Sequence, residues 1–153
     1  MHTLLVTALV LSFWLIPANT PAGILEDDFS DKLYLIQKIH ISEMGASDEA
    51  DRFRFLLEEQ LSKKGFTVVD KSENADAILT GALSVRVYDD ASIARVYVQL
   101  KSSSGERLWG GNFGARRTLS RKESVQLRAE DVANRLRDDW KKSAKKAGVK
   151  VDK

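Results

Sequence analysis

Apolar residues alternate with polar ones over several short stretches of this chain, and in two longer stretches they recur every three or four positions. Alternation puts successive side chains on opposite faces of a strand, while the longer period draws one stripe along a helix. In Leu33–Ile41, Leu33, Leu35, Ile39 and Ile41 share one parity, with Gln37 the exception, which predicts a strand with one strongly apolar face. Ala50, Phe53, Leu57 and Leu61 follow at helical spacing. Ser47 stands before them as an N-cap, and Asp48, Glu49 and Asp51 fill the first turn, where the helix dipole favours negative charge. Lysines in the last turn and Gly65 beyond it end this helix.

Phe66–Asp70 reads as a short strand and Ala77–Tyr88 as a longer one. In Ile93–Ser102, Ala94, Val96, Val98 and Leu100 make one face and Arg95, Tyr97, Gln99 and Lys101 the other. Arg107–Ala115 completes an antiparallel meander of three strands. Ser120 and Glu123 then form a capping box. A helix runs from it to about Lys146, with Val125, Ala129, Val132, Leu136 and Trp140 as its apolar stripe. The order is β-α-β-β-β-β-α, an α+β fold with a mixed, largely antiparallel sheet of about five strands and two helices packed on one face. Residues 24–147 form one domain and residues 148–153 a frayed tail.

The chain has 153 residues, 43% hydrophobic and 30% charged, which is a globular balance. Its net charge of +2 is unevenly spread. Residues 115–153 carry 13 Lys/Arg against 6 Asp/Glu, while residues 24–114 carry 11 against 16. A basic helix on an acidic body produces this asymmetry, and so does an end built for an anionic partner. Cysteine is absent, which excludes a disulfide framework, a thiolate nucleophile and a lipid-anchoring cysteine. Residues 1–22 read as a secretory signal segment: Leu4–Ile16 is an uncharged apolar run, and small residues at Thr20 and Ala22 place cleavage after Ala22. The alternative is an uncleaved membrane anchor. Either way the domain is expected in the periplasm or outside the cell.

Glu58–Val87 and Val96–Phe113 carry a family resemblance. They contain a helix ending in Lys-x-Gly, a Phe-x-Val-Val strand, Ala-Asp-x-Ile-Leu-x-Gly, Val-x-Val-x-Leu, a Ser-x-x-Gly-Glu turn and Leu-Trp. This pattern resembles the N-terminal domain of the translocation protein TolB and the curli-secretion lipoprotein CsgG. The resemblance implies a mixed five-stranded sheet with two helices on one side. It also implies binding to other envelope proteins, with no catalytic residues. The propeller of TolB is absent, as are the lipid-anchoring cysteine and membrane-spanning hairpins of CsgG.

Candidate chemistry is sparse. Ser102–Arg117 holds four of the nine glycines, but Gly111 and Asn112 stand where a phosphate loop needs lysine and a hydroxyl. Trp109 stands where a dinucleotide fingerprint needs its first glycine. A hairpin turn and a glycine-relieved strand account for the stretch instead. His40 is the one histidine beyond the leader, and no metal-ligand or nucleophile motif surrounds it. The acidic pairs Asp27/Asp28, Glu58/Glu59 and Asp89/Asp90 fall in a loose lead-in, on a helix face and in a turn. No catalytic residue, cofactor, metal or small-molecule substrate is expected, and an exported protein is not expected to meet nucleic acid.

Arg121, Arg128, Arg135 and Lys142 recur every seven residues on the last helix. Asp131 and Asp138 stand four before Arg135 and Lys142, in position to pair with them. This basic stripe is either a solvated face or a contact for anionic lipid or polymer. Tyr97 and Trp109 are aromatic candidates for an uncovered sheet face, with a core position as the alternative for Trp109. The expected function is a non-catalytic, exported binding or adaptor domain of the bacterial envelope that recognises a protein partner. The alternative is an anion-binding module acting through the basic C-terminal helix. The partner-contact candidates are Tyr97, Trp109, Arg121, Arg128 and Arg135.

Overall fold

The structure, a computed structural model, describes residues 29–114 and 116–150. The signal segment, its cleavage point and Asp27/Asp28 lie outside the described residues. Seven main elements follow in the expected order: β1 (Lys38–Ile41), α1 (Asp48–Lys63), β2 (Thr67–Val68), β3 (Ala77–Val87), β4 (Ser92–Ser102), β5 (Arg107–Phe113) and α2 (Arg121–Lys146). The sheet order is β2-β1-β3-β4-β5. β1 runs parallel to β2 and β3, and β3, β4 and β5 form the antiparallel meander. The expected α+β fold is the observed one, with both helices on one face of a mixed five-stranded sheet.

The register explains which face is covered. Leu79 stands opposite Leu100, Gly81 opposite Val98 and Leu83 opposite Val96, so the apolar parity of β3 meets that of β4. Ile39, Ile41, Leu79, Val98 and Leu100 are buried with Phe53, Leu57 and Leu61 of α1 and Val125, Val132 and Leu136 of α2. Each fully buried aliphatic side chain of this kind contributes about 1.5–3 kcal/mol through its removal from water. Strand alternation and the two helical stripes therefore meet in a single core.

Helix ends follow their sequence signals. Ser47 Oγ accepts from Ala50 N, and Ser120 Oγ accepts from Glu123 N. Glu123 reaches back one residue further than a capping box requires, accepting from Leu119 N at 3.2 Å. At the C-terminus of α2, Gly148 is left-handed at φ 72°. Its N–H bonds Lys145 O and that of Val149 bonds Ala144 O, the pattern of a Schellman cap. The first residues of the stretch expected to fray thus close the helix.

The first strand is shorter than its alternation predicts. Leu33–Leu35 makes a 3-10 turn and pairing begins at Lys38. The cause is tertiary: Ser143 Oγ of α2 accepts from Tyr34 N and donates to Asp31 O, which holds this segment away from the sheet. β2 likewise contracts to two residues, flanked by hydrogen bonds from Thr67 N to Gln37 O and Val69 N to Ile39 O. The β4–β5 turn uses Gly105 at φ 87°, a backbone region that L side chains rarely adopt.

Candidate functional site on the uncovered sheet face

The face of the sheet opposite the helices is built from the other parity of each strand. β4 contributes Arg95, Tyr97, Gln99 and Lys101, and β3 sets Ala82, Ser84 and Arg86 beside them. No Asp or Glu occupies any strand position among the described residues. The charged strand residues are Lys38, Arg86, Arg95, Lys101 and Arg107, and register places them all on this face. Tyr97 is 39% exposed at its centre, and its hydroxyl accepts from Gln99 Nε2. A shallow, open depression of about 540 Å³ lies there, lined by Ala82, Ser84, Arg95, Tyr97, Asn112 and Phe113. The arrangement offers two aromatic rings, amide and hydroxyl groups and the Arg95 guanidinium, with the other strand cations spread over the same face. That chemistry suits a broad contact with an acidic surface.

The other candidates separate. Trp109 is not a contact residue: it is 1% exposed, packs beside Phe113 and belongs to the core. Its Nε1 donates to Asp139 Oδ2 at 3.0 Å. Asp139 is buried and also accepts from Arg135 Nε at 2.8 Å and Lys142 Nζ at 3.0 Å. Burial alone pushes its carboxyl upward. Hydrogen bonds from Trp109, Lys142 and Arg135, with the Arg135 charge, outweigh this and hold it below the usual carboxylate value.

The basic stripe of α2 is interrupted at Arg128 and ion-paired elsewhere. Arg135 and Lys142 share Asp139, not the carboxylates four residues before them. Arg128 is not on the surface at all: it is 3% exposed, bonded through Nη1 to Asp131 at 2.9 Å and to Gly114 O at 3.4 Å. Arg121 stays exposed and pairs with Glu49 of α1 at 3.2 Å. Arg121, Arg135 and Lys142 keep side chains more than half exposed, and Arg128 alone is enclosed, beneath the connection that enters α2.

His40 lies half-buried with Nδ1 3.1 Å from Val69 O. Glu58 pairs with Arg54 and Glu59 with Lys63 on α1, while Asp89 and Asp90 sit in the exposed β3–β4 turn. Among the described residues no group of three or more His, Asp or Glu side chains is placed to hold a metal ion. Nor is any described helix long and apolar enough to cross a membrane.

The cations of the free face were legible as single residues, since Arg95 and Lys101 share a parity with Tyr97. Their union across four strands was not, because it needs the register.

No protein-family profile matches the chain, and no curated protein matches it. Solved structures do share its fold. A dodecamer of a PelC point variant from Paraburkholderia phytofirmans superposes with a TM-score of 0.55 at 16% identity, covering 66% of this chain and 86% of that one. A second PelC dodecamer from the same organism gives 0.55 at 15% identity, covering 66% and 87%. Lipoprotein GNA1162 from Neisseria meningitidis gives 0.44 at 16% identity, covering 65% and 96%. At these identities the PelC likeness establishes a common fold.

Proposed function

We propose that this chain is a non-catalytic binding or adaptor domain, exported to the bacterial envelope, that recognises a protein partner through the uncovered face of its sheet. The observation that carries this reading is the segregation of charge. Every charged strand residue is cationic and lies on the face that no helix covers. Self-repulsion among these groups is a cost that a solvated sheet face does not require, and an acidic partner relieves it. Export is supported by the leader-like residues 1–22, and an envelope setting by the resemblance to TolB and CsgG. A second copy of the chain is one form the partner can take, as PelC of the same fold forms dodecamers.

The test is a photo-reactive residue in place of Tyr97, used in cells, with a control in place of Phe55, which is 67% exposed on α1. The reading expects a discrete adduct from position 97 and none of the same mass from position 55. Equal labelling of abundant bystanders from both positions would remove it.

The second reading, an anion-binding module on α2, is favoured by one specific observation. The side chains of Arg121, Arg135 and Lys142 stay more than half exposed on that helix.

A further inference from the structure

Leu119 is 90% exposed, more than any other large apolar side chain among the described residues. It stands between Thr118 and Ser120, the N-cap of α2. Thr118 is bridged to Ser92 at the start of β4, its N–H bonding Ser92 O at 3.0 Å and its carbonyl accepting from Ser92 N at 2.8 Å. Ser92 in turn stands opposite Val87, the last residue of β3. Val87, Ser92 and Thr118 therefore form one row across the end of the sheet, and Tyr88 and Leu119 each follow that row by one residue. Two strand spacings put these two backbones about 10 Å apart. Val87 and Tyr88 are themselves about half exposed. Val87 also lines a shallow depression with Val85, Glu49 and Arg121, which brings the first turn of α2 to the same end. The β3–β4 turn and the β5–α2 connection thus present three apolar side chains together at one tip of the molecule.

The charges of this tip are unevenly placed. Arg116 and Arg117 precede Leu119, Arg121 and Lys122 follow it, and no acid lies between residues 116 and 122. Of the neighbouring acids, Glu49 pairs with Arg121 and Glu123 accepts from Leu119 N. Asp89 and Asp90 adjoin Tyr88 in the turn, so the side that carries Leu119 is the cationic one. A leucine that projects from a loop needs a matching pocket on a folded partner. A bilayer interface receives it without one, while arginine and lysine stems let their charged heads stay among lipid phosphates. Tyrosine is likewise suited to the headgroup level. No described helix is long and apolar enough to cross a membrane, so such a contact is peripheral.

We infer that this tip docks on an anionic lipid surface, with Leu119 and Tyr88 entering the headgroup region and Arg116, Arg117 and Lys122 meeting the phosphates. The inference shares the charge of its ligand with the anion-binding reading, but its contact is the pair of loops and not the side of α2.

The chain has no cysteine, so Leu119→Cys and Phe55→Cys each accept a single environment-sensitive fluorophore on the full chain. With phosphatidylglycerol vesicles at low salt the label at position 119 should shift to the blue and the label at position 55 should not, and added salt should reverse the shift. A label at 119 that stays in water on vesicles carrying the protein overturns the proposal, and attachment through the apolar leader alone gives that result. Failure of the protein to bind these vesicles at all overturns it too. On the unlabelled chain, Leu119→Asp should weaken the salt-sensitive part of binding by about tenfold or more. Arg116→Gln/Arg117→Gln should weaken it by about thirtyfold. All three positions are exposed, so the variants should fold, as circular dichroism would verify. Loss in Lys142→Gln with none in Leu119→Asp would place the contact on the side of α2 and overturn the tip while supporting the anion-binding reading. A photo-reactive residue at position 119 that gives a discrete protein adduct in cells, without any vesicle response, would assign the tip to an acidic protein and also overturn it. None of these outcomes moves the cross-link from position 97, so recognition through the sheet face stands or falls separately.

Discussion

Asp139 joins α2 to the sheet. Its two oxygens gather Trp109 Nε1, Arg135 Nε and Lys142 Nζ within 3.0 Å. Arg135 and Lys142 are more than half exposed, so their ion pairs with it are screened and worth little by themselves. The indole N–H is different: it is buried, and without Asp139 it has no acceptor. Asp139→Ala should cost about 1–3 kcal/mol for that reason. The lowered carboxyl fixes the sign of the pH dependence. A group bound as carboxylate in the folded state adds stability above its unfolded value, near pH 3.9, and loses it as pH falls through the lower folded value. Urea unfolding between about pH 2 and 5 should show this loss in the wild type and a flatter profile in Asp139→Asn. Equal slopes would detach the acid response from this residue.

The element scale shows how one glycine sets a loop. A Cβ on Gly81 would stand 2.3 Å from Tyr97 O and 3.0 Å from Met44 Sδ. Met44 is fully buried, and its carbonyl accepts from Leu83 N at 3.0 Å. The β1–α1 loop thus lies directly on β3 where the strand has no side chain. Gly81→Ala should destabilise by about 1–3 kcal/mol through overpacking, measured by urea unfolding. A neutral change would mean that the loop shifts freely. The Ala-Asp-x-Ile-Leu-x-Gly pattern was visible in the sequence, but the reason for its glycine was not, because Met44 and Gly81 meet only in the fold. The helices were read to within a residue from caps and stripes, since those signals are local. β1 was overestimated because Ser143, over a hundred residues away in the chain, takes the Tyr34 N–H that alternation assigns to pairing. Trp109 stayed ambiguous because a bulge between Leu100 and Lys101 shifts the register of its strand. Arg128 was misplaced because a count along the helix does not show that the Gly114 carbonyl and Asp131 enclose its guanidinium.

At the scale of the molecule, net charge by segment concealed the distribution that matters. Residues 24–114 carry more acid than base, yet within the described part those acids lie on α1 and in loops while the sheet's free face carries only cations. An interface built on such a face should form faster at low salt and weaken as ions screen it. The direct test is a cross-linking pull-down from the native envelope, comparing the wild-type chain with Arg95→Glu/Lys101→Glu. Both positions project from a strand into solvent, so the double variant should fold, as circular dichroism would verify. The account predicts one specific acidic partner with the wild type and at least about a tenfold loss with the double reversal, equivalent to roughly 1.4 kcal/mol. Undiminished recovery of that partner by the folded double variant would contradict recognition through the sheet face.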